Sequence, residues 1–326
     1  MILNPNEKLI IDLIFSKNKL DVKDIDFDEI VKIGSSHLIL PLIYSKIKKK
    51  KISCLFPLDL IKYLKEIYSI NLSRNKILLK ELNFISKIFL NHKINHVFLK
   101  GSALLIKNYY EDLGERMVGD IDILVDEKDY IKSVNLMKET GYVNIKNESK
   151  FDSIHYPRLV SRTKTFALEI HKKLLKGTVS SELINISEYI IQSEKICNLQ
   201  IPNRSNLFIH LVYNFQINDY GTLKCNYNFR SIYDTFLTYH SNDKISLLKS
   251  KHLRRFFILT SKLNIIKREI NYSFFDYFFI VRFNLKYQFK FFKIIDNYIN
   301  SKIIKVLIRA RKLRYIITSK KINIFI

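Results

Sequence analysis

Apolar residues return every three or four positions along most of this chain, and every second position along only a few short stretches. Across residues 58–91, Leu72, Leu79, Leu82, Ile85 and Phe89 fall near one helical face, so the spacing predicts one long helix there. Amphipathic spacing also marks the stretch beginning at Asn6 and then residues 28–47, with a break near Gly34 and Pro41 and a basic loop at 48–51. The period changes at His96. Val97-Phe98-Leu99 is a short apolar run ending at Lys100-Gly101-Ser102, and a helical stretch follows at 103–110. Residues 120–125 alternate as a strand does, and residues 128–140 return to a helical period that stops at Gly141. Strand-like pieces follow at 142–145 and 165–171. Beyond Gly177 the pattern predicts helices again, at 205–215, at 227–239 and in basic segments as far as Arg314. The expected fold class is α+β: a helical region over 1–90, a strand-bearing core over 91–178 and a basic helical region over 179–326.

Composition sharpens this picture in two places. With 7 Gly and 5 Pro in 326 residues, turn punctuation is too scarce for a many-stranded sandwich. The formal charge of +24 is unevenly spread: from Lys244 onward there are twenty lysines and arginines against the three acids Glu269, Asp276 and Asp296. Such a region attracts phosphate-rich partners such as nucleic acid or another polyanion, or an anionic membrane surface. Tyr and Phe mixed with Arg282, Lys286 and Lys290 over 272–292 also fit a peripheral membrane helix, but these aromatics are expected to fill a helical core instead. Cys54, Cys197 and Cys225 lack metal-ligand spacing, the N-terminus carries no signal-peptide pattern, and no apolar run is long enough to span a bilayer. These features lead us to expect a cytoplasmic protein without a transmembrane segment.

The candidate chemistry starts at Asp120 and Asp122. Residues i and i+2 of a strand share a face, so both carboxylates project together while Ile121, Ile123 and Val125 turn into a core. Two adjacent carboxylates repel unless a cation neutralises them, and hard oxygen ligands suit Mg²⁺. One helix upstream, Gly101-Ser102 opens a helix after a strand, where bare backbone N–H groups favour phosphate. Downstream, the alternation in Phe166-Ala167-Leu168-Glu169-Ile170-His171 puts Glu169 and His171 on one face of a strand that can bring Glu169 to the aspartates. His155 and His171 are read first as hydrogen-bonding partners near the carboxylates. His210 and Asp234 are expected to tie helices together in the C-terminal region.

A strand ending in Gly-Ser, then Asp-x-Asp on the next strand, then a later strand carboxylate resembles the polymerase-β-like nucleotidyltransferase superfamily. The nearer resemblance is to the uncharacterised bacterial nucleotidyltransferases with a Lys-Gly motif and an Arg…Asp-Ile-Asp motif, matched here by Lys100-Gly101, Arg116 and Asp120-Ile121-Asp122. The resemblance reaches from His37 to about residue 240 and leaves the basic tail unexplained. It implies a small mixed β-sheet as the catalytic core. Asp120, Asp122 and Glu169 would hold two Mg²⁺ ions (Mn²⁺ possible) and serve as catalytic residues, Gly101 and Ser102 would cradle the phosphates of an NTP, and Arg116 and Lys100 would add positive charge. It further implies transfer of a nucleoside monophosphate to the hydroxyl of an RNA, a protein or a small molecule, with release of pyrophosphate. The alternative is a non-catalytic RNA- or polyanion-binding protein on the same fold.

Overall fold

The computed structural model describes residues 4–16, 20–145, 154–176, 184–240, 250–266, 268 and 270–322, with side chains to Ala310. Helices α1 (Pro5–Phe15), α2 (Phe27–Ser36) and α3 (Leu40–Lys49) lead into α4, a 34-residue helix over Leu58–Asn91. Gly34 lies within α2 rather than breaking it, and α3 runs into the stretch expected as a basic loop. The actual break is at 37–39, where Leu38 takes a positive φ of 55°. Proline at the start of α3 suits a first helical turn, whose N–H groups lack intrahelical acceptors. The inward face of α4 carries Leu64, Leu78, Leu82, Ile85 and Phe89, and also Asn71 and Asn75, whose amides are put to use near the site.

A five-stranded mixed sheet sits against α4. Its strands are β1 (His96–Phe98), β2 (Asp120–Val125), β3 (Val143–Asn144), β4 (Leu159–Val160) and β5 (Ala167–His171), in the order β1-β2-β5-β4-β3. β2 pairs antiparallel with β1 and parallel with β5. Helix α5 (Lys100–Ile106) joins β1 to the loop before β2, and α6 (Tyr130–Glu139) follows β2. On one side of the sheet, Ile121, Ile123, Val125, Leu168 and Ile170 enter the larger core with α4. On the other side, Val97 and Leu124 pack with Tyr189, Phe208 and Phe257 of the C-terminal helices in a second core. The polar ends of β2 and β5 lie on that second side, beside Leu124 in the alternation of β2. Charged groups therefore gather there without breaking either core.

The C-terminal half departs from the all-helical expectation. After α7 (Ile186–Ile191), strands β6 (Glu194–Ile196) and β7 (Leu199–Ile201) form a two-stranded sheet around Cys197, which has a positive φ of 54°. Such short strands offer too little alternation to separate from a helical period. Helix α8 (Arg204–Tyr213) continues into a π-helical turn over Asn214–Asn218, followed by α9 (Gly221–Lys224), α10 (Phe229–Thr238) and α11 (Lys251–Lys262). Two last helices, α12 (Phe274–Gln288) and α13 (Lys290–Ile322), form a hairpin. The boundary expected near residue 178 lies outside the described residues.

The aromatics of 272–292 only partly fill a core. Phe279 and Phe283 are buried, but Phe274, Phe275, Tyr277 and Phe278 face outward. Among the described residues, no helix is long and apolar enough to cross a membrane.

Candidate active site

Register decides the site. In the parallel β2–β5 ladder Asp120 stands opposite Ala167, Asp122 opposite Glu169 and Leu124 opposite His171. Because side chains alternate along both strands, Asp120, Asp122, Glu169 and His171 all emerge on the same face. One ligand atom each from Asp122, Glu169 and His171 can be chosen so that all three lie within 4.8 Å of one another, a spacing a metal ion can fill. Carboxylate oxygens with one imidazole nitrogen form a donor set that Mg²⁺ or Mn²⁺ accepts, the imidazole favouring the transition metal. Asp120 lies at the edge of this cluster and turns its Oδ2 to Arg158 at 2.9 Å.

The carboxylates are held by cations and imidazoles. Lys100 Nζ donates to Asp122 Oδ1 at 2.6 Å, and His171 Nε2 lies 2.9 Å from the same oxygen. Burial alone would push the Asp122 carboxyl up, but Lys100 and His171 hold it well below the usual carboxylate range. Burial likewise works against the charge on Lys100 and is outweighed by Asp122, which raises its pKa. For Asp120 burial prevails over Arg158 and the pKa rises. Glu169 is lowered, because the His171 imidazole 3.7 Å away outweighs its burial. His171 itself is raised despite burial, because Asp122 and Glu169 lie beside it, and its Nδ1 has no hydrogen-bond partner.

Arg158 was not singled out by sequence reading. It precedes β4, and its guanidinium bridges Asp120 at 2.9 Å and Glu169 at 3.3 Å, so one cation spans two of the three expected metal ligands. An isolated bridge between His155 and His171 brings the preceding segment over β5, with the two rings 5.0 Å apart and His155 Nε2 3.7 Å from Glu169 Oε2. A Pro-Arg dipeptide beside an unassigned strand gave no signal for this. Only the β4–β5 pairing brings Arg158 to the acids.

Gly101 and Ser102 lie in the first turn of α5, after Lys100 has taken a left-handed φ of 48°. A Cβ on Gly101 would meet Val118 Cγ2 at 3.0 Å and Arg116 Nη2 at 3.5 Å, so the turn is packed tightly from beneath. Ser102 Oγ is buried with no hydrogen-bond partner. Arg116 lies beside this turn and borders the cleft onto which it opens. Its guanidinium forms a buried pair with Asp234, with Nε and Nη2 each 2.8 Å from a carboxylate oxygen, and Tyr110 donates to the same carboxylate. Asp234 thus ties α10 to the core loop rather than to another C-terminal helix. His210 does tie helices, through Nδ1 at 3.1 Å from the Tyr189 hydroxyl, and burial lowers its pKa to about 3.

These groups open onto a cleft of about 630 Å³. Lys100, Gly101, Asp120, Asp122 and Glu169 line its floor. Leu38, Ile67, Ile70 and Arg74 form the wall from the N-terminal helices, and Asn214, Asp219 and Arg230 form the wall from the C-terminal ones. Arg230 Nε is buried without a hydrogen-bond partner. The cleft therefore joins an acidic floor, guanidinium groups on both walls and an apolar rim, in the size range of small-molecule sites.

A family model described as an uncharacterised nucleotidyltransferase matches residues 23–259, well over half of the chain, and ends before α12 begins. No curated protein matches the chain.

Proposed function

Since this chain belongs to the uncharacterised nucleotidyltransferase family, we propose that it moves a nucleoside monophosphate from an NTP to an acceptor hydroxyl, on a polymerase-β-like core. Two divalent ions, Mg²⁺ or Mn²⁺, would be held by Asp120, Asp122 and Glu169, with His171 as a further donor to the inner position. The observation that carries this reading is the convergence of Asp122, Glu169 and the buried His171, the two carboxylates lining the floor of a cleft with cationic walls. When bound, the divalent ions neutralise phosphate charge and ease loss of the acceptor's proton.

The chain's own residues take the remaining tasks. The backbone of Gly101 and Ser102, with the unpartnered Ser102 hydroxyl, meets the outer phosphates of the NTP. Lys100 passes from Asp122 to a phosphate oxygen as the triphosphate enters, so that neither charge stays buried alone. Arg158, which pairs with Asp120 and Glu169, would have to release them for these carboxylates to hold an ion. Arg74 and Arg230 hold negative charge at the walls, and Leu38, Ile67 and Ile70 cover the base. Arg116 acts through position: paired with Asp234, it supports the Gly101 turn from below. We assign the core to 91–178, with the flanking helical regions supplying the cleft walls.

The test is incubation of the purified chain with each α-labelled NTP, Mn²⁺ or Mg²⁺ and cell extract. Transfer of label to a macromolecule or small acceptor is expected, and Asp122→Asn should lower it by at least about a thousandfold while far-UV circular dichroism is unchanged. Tight, salt-sensitive RNA binding without label transfer, unaffected by chelator or by Asp122→Asn, would establish the non-catalytic alternative instead.

A further inference from the structure

The α12–α13 hairpin is built inside out. Between its helices lie charged and amide groups: Arg282 donates to Asp296 at 2.6 Å and to Asn300 at 2.9 Å, and Lys286 sits 3.0 Å from Asp296. Asp276, fully buried, closes the start of α12 through Ser273 and Arg254. The outer surface is apolar, with Phe274 71%, Phe275 70%, Phe278 60% and Phe291 75% exposed. Scattered apolar residues on a surface are ordinary, but a continuous set over two successive helices marks a site of contact.

Charge identifies what makes that contact. Asp276 and Asp296 are the only acids in residues 274–310, and both are buried in ion pairs. The outer charges of α13 are all positive: Lys290, Lys293, Lys302, Lys305 and Arg309. In residues 301–310 no side chain is buried, so this part of the helix stands clear of the body. Lys302, Lys305 and Arg309 recur at i, i+3 and i+7 and form one stripe, while Ile299, Ile303, Val306 and Leu307 form the face beside it. An apolar helical face bordered by a cationic stripe lies in the headgroup region of a bilayer, its lysines reaching to anionic lipids.

We propose that the outer face of α12–α13 docks on the surface of an anionic lipid bilayer, lying in the interface without crossing it. A second copy of the chain is a poorer occupant, since two such faces would bring like charges together with no exposed acid to pair them. Single-stranded nucleic acid is also poorer, because beside its aromatic rings the face exposes the aliphatic Ile294, Ile299, Ile303, Val306 and Leu307, on which bases do not stack. This surface is separate from the cleft, and the inference holds whichever reaction the cleft performs.

The test is flotation of the full chain with vesicles of phosphatidylcholine alone or with added phosphatidylglycerol. The chain is expected to float with the phosphatidylglycerol vesicles, less so as salt rises. Phe274→Ser/Phe275→Ser/Phe278→Ser and, separately, Lys302→Gln/Lys305→Gln/Arg309→Gln should each lower the bound fraction by at least about tenfold. All six positions are exposed, so both variants are expected to keep the wild-type circular dichroism. The chain has no tryptophan, so Phe278→Trp provides a single reporter whose emission should shift to the blue only with the anionic vesicles. Three results would overturn the proposal: folded wild-type chain that does not float, a dimer in light scattering that the Phe variant dissociates, or RNA binding lost in these variants without flotation.

Discussion

The cleft and the C-terminal hairpin both bury charge, but they arrange it in opposite ways. In the cleft, charges are layered from closed to open. Arg116 and Asp234 are sealed together, Lys100 and Asp122 meet at the floor, and Arg158 lies at the edge with its guanidinium still partly exposed. In the hairpin the ionic groups satisfy one another between two helices, and Phe274, Phe275, Tyr277 and Phe278 are left outside. A buried charge whose partner can be exchanged is available for chemistry. One whose partners are locked inside only holds elements together, and the function of that region has to come from its surface.

This contrast can be broken most strongly at its sealed layer. Asp234→Ala would leave Arg116 buried without its counter-ion, and a loss of about 3–5 kcal/mol in denaturant unfolding is expected. A loss near zero would show that the pair is not the support of the Gly101 turn. The hairpin gives a smaller, two-sided measurement. Asp296→Ala, which removes the carboxylate shared by Arg282 and Lys286, should cost roughly 1–3 kcal/mol, whereas Phe275→Ser on the outer face should fall within about 0.5 kcal/mol of wild type. Equal costs at the two positions would mean that the outer face is packed after all. The smallest effect belongs to the open layer. With Arg158→Ala no guanidinium competes for Asp120 and Glu169, and Mn²⁺ binding by calorimetry should tighten by roughly threefold to tenfold. Weaker binding would mean instead that Arg158 assists the ion.

The floor of the cleft was legible in the sequence because strand alternation is strictly periodic. Asp120, Asp122, Glu169 and His171 could be placed on shared faces without knowing the fold, and the register places Asp122 directly opposite Glu169. The long helix was legible for the same reason, although its inward face takes Leu78 and two asparagines where the apolar pattern favoured Leu72 and Leu79. Arg158 was not legible, since it reaches the acids only through pairing between β4 and β5. Arg116 was placed near the phosphates by motif, but its partner Asp234 is 118 residues away in sequence, and no local pattern announces such a pairing. The small β6–β7 sheet escaped because three-residue strands carry almost no periodic signal. In the hairpin a helical period of aromatics does not say which of them face inward: Phe279 and Phe283 do, while Phe274, Phe275, Tyr277 and Phe278 do not.

Asn71 and Asn75 stand one turn apart on α4. Their amide nitrogens donate to the carbonyls of Leu113, Gly114 and Arg116 at 2.6–3.1 Å. Gly114 leaves no room for a side chain there, since a Cβ would meet Tyr68 at 2.5 Å. The approach to β2 is thus splinted to a helix of about 50 Å. Any rotation of that helix about its axis would have to carry the threshold of Asp120 with it or break these four hydrogen bonds.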